Sequence, residues 1–120
     1  MVLRVEHATV RCGPYRPSTR CESAEVFDFA EELCEAHFDG KHPSPNVDAT
    51  VRGKWREGYG YFFGFTSLDA LVKWFSRSEL DSLRSLGYVV RGYNATVTWE
   101  GATGQCAYYT DSPAVVEMPC

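Results

Sequence analysis

The segment 58–65 reads Gly-Tyr-Gly-Tyr-Phe-Phe-Gly-Phe, and it constrains the fold more than any other stretch of the chain. Its odd-numbered positions are all large aromatic residues, and its even-numbered positions are glycine except for Phe62. Because successive side chains of a strand point to opposite faces, this pattern predicts a β-strand with one bulky face and one bare face. The bulky face is expected to be core, and the bare face allows a helix or a flat ligand to approach the backbone closely.

Helical periodicity appears in three places. From Ser23, a candidate N-cap, to the stop at Asp39-Gly40, apolar residues recur every three or four positions, namely Val26, Phe29, Ala30, Leu33 and His37 or Phe38. A second helix is predicted to begin with a capping box of Thr66 and Asp69, and to face the core with Leu68, Leu71, Val72 and Phe75. A third helix, of one or two leucine-rich turns, is predicted to begin at Ser78 and to end at Gly87.

Strands are predicted on both sides of these helices. Alternation and β-branched residues indicate strands at 2–11, 88–99 and 105–110, with a last short strand that includes Ala114–Met118. Residues 41–57 hold two prolines and mixed charge, which predicts a long connection. The order of these elements indicates an α+β fold, a largely antiparallel sheet with two to three helices, in a single domain spanning residues 1–120.

The charge balance narrows the classes of partner. Twelve lysine and arginine residues against 16 aspartate and glutamate residues give a formal net charge of −4. Because nucleic-acid binding depends on cationic contacts with phosphates, we expect no direct binding of nucleic acid, and a protein or a small molecule as the partner. No run approaches the roughly 18 apolar residues of a membrane span, and the first residues lack the apolar core of a secretory signal. We therefore expect a cytoplasmic protein that does not bind membranes.

The cysteines and histidines are candidate metal ligands. Five cysteines, an odd number with no Cys-x-x-Cys pair, predict a reduced protein. Cys34, His37 and His42 lie close in sequence, and Cys12 or Cys21 could supply a fourth zinc ligand. Alternatively, Cys34 is a small core residue and His37 completes a helix C-terminus. Since a structural zinc site needs four convergent ligands and only three are local, we expect no bound metal.

Several segments together resemble a known group. They are Arg4-Val5-Glu6-His7 in the first strand, the loop Gly13-Pro14-Tyr15, the loop His42-Pro43, and the strand-to-helix run from Phe63 to Phe75. This combination is similar to a group of small uncharacterised bacteriophage proteins, over the first strand and residues 58–99. Its arrangement in turn resembles the ADP-ribosyltransferase fold.

The resemblance implies an NAD site. Arg4 would be the first-strand basic residue that holds the pyrophosphate or ribose, and Thr66 or Ser67 would fill the hydroxyl position. Phe65 or Tyr61 would stack on nicotinamide. Gln105 would occupy the acidic position that holds the ribose and stabilises the transition state. Because Gln105 is neutral, Glu100 across the turn would have to supply the charge for transfer to a host macromolecule.

A second function from a different class stays open. The chain could be a non-enzymatic phage protein that binds and inhibits a host defence protein in the host cytoplasm, in the manner of an anti-CRISPR. Its acidic and aromatic surface would then occupy a basic groove of the partner by electrostatic complementarity. The two hypotheses differ in one spatial prediction, because the NAD site requires Arg4, Phe65, Ser67 and Gln105 to share a cleft.

Overall fold

The computed structural model describes residues 1–21, 23–44 and 62–120. It contains a six-stranded sheet in the order β4-β5-β2-β1-β3-β6, in which every neighbouring pair is antiparallel. The strands are β1 (Val2–His7), β2 (Phe62–Phe65), β3 (Tyr88–Tyr93), β4 (Thr96–Glu100), β5 (Gln105–Tyr109) and β6 (Val116–Pro119). The helices are α1 (Ala24–Ala36), α2 (Leu68–Trp74) and α3 (Arg77–Ser85), with a 3-10 turn at Thr19–Cys21. The predicted α+β class with a largely antiparallel sheet is confirmed.

One face of the sheet is covered by the three helices. Leu3 and Val5 of β1 and Phe65 of β2 point to this face, since Leu3 pairs with Phe65 and the faces alternate along each strand. They form one buried cluster with residues of all three helices, among them Leu33, Leu71 and Leu83. We call this side the helix-covered face.

The other face is concave. Tyr93 of β3 and Tyr108 of β5 are separated by two strands, a span of about 14 Å in a flat sheet, yet their ring centroids lie 6.0 Å apart. Residues 94–95 alone join β3 to β4, which lie four strand positions apart in the sheet order. Three Cα steps span at most about 11 Å, so the sheet has to curl towards this side. The curl buries Val2, Tyr93, Cys106 and Tyr108 as a second cluster.

The strand predictions need two corrections. The run 88–99 is two strands rather than one, because β3 ends where its partner β1 begins, at the pair Val2 and Tyr93, and Asn94 is exposed. The first strand ends at His7 rather than at residue 11, because the chain turns back and the backbone N–H of Arg11 donates to His7 O at 2.8 Å. Arg11 has a φ of 65°, a left-handed conformation that no strand continues through.

The helix predictions were right in place but wrong in several details. Ser67, not Thr66, caps α2 by accepting from Ala70 N, and Ser76, not Ser78, caps α3 in a full capping box with Glu79. Leu68 and Val72, which were expected to face the core, are exposed, and of the two alternatives His37 and Phe38 it is His37 that is buried. The aromatic strand is described only from Phe62 onward, so Tyr59 and Tyr61 lie outside the described residues.

Candidate functional site

Arg4 lies on the concave face and is held there. Its Nη1 donates to Phe63 O at 3.1 Å, and its guanidinium carbon lies 5.2 Å from the centre of the Phe62 ring. Its Nε is 3.3 Å from Glu6 Oε2, an ion-pair distance, although this buried N–H makes no hydrogen bond of good geometry. The side chain therefore stabilises the strands around it.

Gln105 lies on the helix-covered face, opposite to Arg4. It pairs with Phe65 across the sheet, is 6% exposed, and donates from Nε2 to Pro43 O at 2.7 Å. Because Leu3, next to Arg4 in β1, also pairs with Phe65, Arg4 and Gln105 project to opposite sides of the sheet. The cleft that the NAD hypothesis requires between these two side chains does not form.

Part of the predicted set does come together at the end of β2. Thr66 Oγ1 donates to Glu100 Oε1 at 3.1 Å, and Thr66 N donates to the carbonyl of Gly104, directly before Gln105. Ser67 is used as the helix cap of α2, and Phe65 is core. The structure therefore brings Thr66 and Glu100 next to the start of β5. Tyr61 lies outside the described residues.

A buried ionic cluster lies on the concave face. Glu6 is 3% exposed, and its Oε1 accepts a hydrogen bond from the Tyr93 hydroxyl. The same carboxylate pairs with two arginines, because Oε1 lies 3.4 Å from Arg91 Nη1 and Oε2 lies near Arg4 Nε. Arg91 Nε also binds Glu117 Oε1 at 2.9 Å. Burial and the Glu6 carboxylate raise the pKa of Tyr93 to about 12, so its hydroxyl keeps its proton and donates. Every charge of this cluster is paired, which is what a buried ion pair needs to be tolerated.

A second polar network joins the segment before α1 to α1, α2 and α3. Burial raises the pKa of the Tyr15 hydroxyl, which stays protonated, accepts from Trp74 Nε1 at 2.6 Å, and donates to His37 Nδ1 at 2.5 Å. His37 Nε2 then donates to Glu79 Oε2 at 2.9 Å. Burial would raise the pKa of Glu79, but hydrogen bonds from Ser76 and from His37 outweigh it and lower the pKa.

The candidate zinc ligands have other partners. The rings of His37 and His42 stack with centroids 3.8 Å apart, and His42 binds Asp39 Oδ1 at 2.9 Å and Trp74 O at 2.6 Å. Cys34 Sγ lies 3.8 Å from Tyr15 O. Within residues 1–21, 23–44 and 62–120, no three His, Cys, Asp or Glu side chains converge as a metal-binding group. The two histidines are thus part of the polar network around Tyr15.

A groove runs along α1, and we call it the α1 groove. It encloses about 640 Å³ and is lined by Tyr15, Pro17, Phe27, Glu31, Cys34, Glu35 and Phe38, with Ala30 at its base. Phe38 is 92% exposed and Phe27 is 38% exposed. Glu31 and Glu35 line the groove with these rings. The exposed surface of α1 as a whole carries five acidic residues and no basic one, namely Glu25, Asp28, Glu31, Glu32 and Glu35.

The predicted stripe left open whether His37 or Phe38 faces the core, so this groove was not predicted. A signal was present, because Phe27, Glu31, Cys34 and Phe38 follow the same i, i+4, i+7, i+11 spacing as the buried stripe, shifted by one residue. Two such stripes cannot both face the sheet. A second signal is that every charged residue of α1 is acidic, whereas an ordinary solvated helix face carries charges of both signs.

The fold and these surfaces define a small α+β protein with an acidic, aromatic groove. The profile of the family described as Bacteriophage T4 Y00F protein matches residues 1–119. The chain belongs to this bacteriophage protein family. Neither a curated protein nor a solved structure matches it significantly. None of the helices within the described ranges is long and apolar enough to cross a membrane.

Proposed function

We propose that this phage protein is a non-enzymatic binding protein, and that the α1 groove takes up a basic, amphipathic segment of a host protein. The observation that carries this proposal is the juxtaposition of exposed Phe38 and Phe27 with Glu31 and Glu35 in one groove. Aromatic rings are typical anchors of protein interfaces, and surrounding charges select the partner and steer its approach.

The charges of α1 beyond its first turn support this proposal because they do not stabilise the helix itself. Asp28 with Glu32, and Glu31 with Glu35, are like charges four residues apart, which destabilise a helix by about 0.2–0.5 kcal/mol per pair. Glu35 lies in the last turn, where the helix dipole disfavours a carboxylate, and no basic residue balances it there. A cationic partner would relieve this repulsion.

The exposed rings support the same proposal. An aromatic side chain that is 92% exposed leaves almost all of its apolar area in water, and burying such area stabilises a complex by about 25 cal/mol per Å². Phe27 lies near the start of α1 and Phe38 lies two residues beyond its end, so the two rings frame the groove along the length of the helix. This length suits a short helix or an extended segment of a partner.

Membership of a phage family supports a host target. Basic grooves are typical of host proteins that bind nucleic acid, since these proteins line their channels with Lys and Arg. An acidic phage protein that takes up a basic segment at the edge of such a groove would compete with nucleic acid, as the inhibitor hypothesis from the sequence requires. We therefore propose a host nucleic-acid-binding protein as the partner class.

A defined probe tests the groove directly. We would measure fluorescence anisotropy of a labelled Leu/Lys peptide in amphipathic helical order, with a Leu/Glu peptide as the negative control. Phe38→Ser is expected to weaken binding by about 30-fold, the cost of losing an interface anchor. Glu31→Lys with Glu35→Lys is expected to weaken it by about tenfold, and added salt to weaken it further.

Glu32→Lys is the matched control, because Glu32 is exposed on the same helix but does not line the groove. It makes the same charge change as each groove substitution and is expected to weaken binding less than about threefold. Equal binding by wild type, the Phe38→Ser variant and the groove charge variant would refute the α1 groove as the binding site.

NAD binding is a second candidate, favoured by the contact of Thr66 with Glu100 next to Gln105. Two features weigh against it, because Gln105 is engaged by Pro43 O and Arg4 projects from the opposite face. Titration with NAD while tryptophan fluorescence is followed tests it, with Arg4→Ala and Gln105→Ala as the variants. An unchanged signal at millimolar NAD would remove this candidate together with ADP-ribosyl transfer.

A further inference from the structure

Two thiols beside the α1 groove are almost in bonding contact. Cys12 follows β1, and Cys21 ends the 3-10 turn before α1, yet their Sγ atoms lie 3.4 Å apart. Both cysteines are free and half-buried. A disulfide bond is about 2 Å long, so an approach of less than about 1.5 Å would allow the two sulfurs to bond. The segment between them is short and contains no helix or strand before Thr19.

We propose that Cys12 and Cys21 form a reversible disulfide that fixes the outer wall of the α1 groove. The regulatory part rests on the proposed function, because Tyr15 and Pro17 of that wall lie between the two cysteines. The oxidant is a low-molecular-weight disulfide such as oxidised glutathione. Exposed Cys34 also lines the groove, but it has no cysteine partner within the described part of the chain.

The reaction is a thiol–disulfide exchange in two steps. One cysteine thiolate attacks the oxidant, forms a mixed disulfide and expels the first glutathione thiolate. The second cysteine thiolate attacks the protein sulfur of this mixed disulfide and expels the second glutathione thiolate. Two electrons thereby pass to the oxidant, and the two thiol protons end on the two glutathione molecules released. Burial and the neighbouring Cys12 thiol raise the pKa of Cys21, so the rate is expected to rise with pH.

The disulfide acts on the groove by restricting the segment 12–21. In the reduced protein this segment is held by the hydrogen bonds of Tyr15 to His37 and Trp74. A covalent link between its two ends removes conformations that this wall otherwise samples, and a wall fixed before binding lowers the entropy lost when a partner docks. The oxidised protein therefore binds its basic partner more tightly than the reduced protein.

Peptide mapping of a Cys34→Ser variant tests the bond itself. The protein is treated with oxidised glutathione, alkylated and digested with trypsin. Trypsin cleaves after Arg11, Arg20 and Lys41, so Cys12 lies in the peptide 12–20 and Cys21 in the peptide 21–41. Removing Cys34 is necessary because it shares the second peptide. Linked peptides are expected, and reductant is expected to release them. Separate peptides that carry glutathione or the alkyl group would overturn the proposal.

Two further readouts keep the test independent of any one variant. The oxidised protein is expected to melt about 10 °C higher than the reduced protein, and Cys12→Ser and Cys21→Ser are each expected to abolish this shift. The Leu/Lys peptide is expected to bind the oxidised form about threefold more tightly. If the tryptic peptides are linked but the oxidised and reduced proteins bind the Leu/Lys probe equally tightly, regulation of the groove by the disulfide is refuted. Disulfide-linked tryptic peptides, combined with no binding of the Leu/Lys probe to either form, would refute the proposed function while the disulfide itself stays supported.

Discussion

The Tyr15 hydroxyl oxygen lies 2.5 Å from His37 Nδ1, and this contact fixes the segment before α1 to the end of α1. The same hydroxyl accepts from Trp74 Nε1 of α2, and His37 continues to Glu79 of α3. One phenol group therefore connects a segment without regular structure to three helices. The segment is one wall of the α1 groove, so the groove is held in shape by a buried polar network rather than by apolar packing alone.

Tyr15→Phe is expected to destabilise the protein by about 2–4 kcal/mol. The substitution removes the acceptor of Trp74 Nε1–H and the donor to His37 Nδ1, and each buried polar group left without a partner costs about 1–3 kcal/mol. Urea unfolding followed by circular dichroism measures the change. Tyr109→Phe is the matched control, since Tyr109 is 53% exposed, and it is expected to change stability by less than about 0.5 kcal/mol. Equal stability of the two variants would show that the network contributes little.

Acidification is expected to weaken the same network through Glu79. Its pKa is lowered in the folded protein, so the folded state favours the carboxylate, and the resulting stability is fully present above the ordinary glutamate value of about 4.5. It is lost as the pH falls through the folded pKa, because the unfolded chain binds the proton more readily. Unfolding free energies of wild type and Glu79→Gln between pH 3 and 7 measure this. The two curves are expected to converge at the acid end, and a constant separation would contradict the prediction.

Local signals in the sequence predicted the helices better than the sheet. The stripe Val26, Ala30, Leu33 sets one face of α1 and was predicted from its spacing alone. The capping box of Ser76 with Glu79 is an equally local signal, three residues apart, although the prediction placed the start of this helix at Ser78 instead. The break between β3 and β4 depends instead on where β1 begins, a contact between distant parts of the chain. The β-strand propensity of residues 88–99 contains no information about where β1, the pairing partner of β3, begins.

The site could be predicted only in part for the same reason. Arg4 and Gln105 were each placed on a strand correctly, but whether two side chains share a face depends on the register between strands. The register pairs Leu3 and Gln105 with the same residue, Phe65, and so separates Arg4 from Gln105. The spacing of the buried stripe suited Phe38 and its neighbour His37 equally well, and the exposure of Phe38 is indicated only by the parallel stripe through Phe27 and Cys34.

Gly64→Ala is expected to destabilise the protein by at least about 1–3 kcal/mol. A Cβ at this position would lie 2.7 Å from Leu3 O and 2.8 Å from Val2 Cγ1, closer than carbon and oxygen atoms pack. Since Leu3 O belongs to the backbone of the neighbouring strand, relief requires the strands to separate, and overpacking of this kind is costly. At Gly64 the bare side of this strand is thus filled by its neighbour and leaves no slot there for a flat ligand.

Gly40→Ala is the control for this prediction, because a Cβ at residue 40 meets nothing within 4 Å. It is expected to change the free energy of unfolding by less than about 0.5 kcal/mol. Thermal and urea unfolding of both variants measure the difference. A Gly64→Ala protein as stable as the wild type would mean that β1 and β2 can move apart at this point.

Glu6→Gln is expected to destabilise the protein by about 3–5 kcal/mol, the usual effect of removing one partner of a buried ion pair. The amide would leave Arg4 without a counter-charge and Arg91 with only the exposed Glu117, on a face where Glu6 itself is 3% exposed. Glu117→Gln tests the exposed end of the same cluster, since Glu117 binds Arg91 but its side chain is 55% exposed, and it is expected to cost less than about 1 kcal/mol. Urea unfolding of both variants measures the contrast. If the two substitutions cost the same, the concave face is more open to water than its buried residues indicate, and the curl of the sheet does not shield its charges.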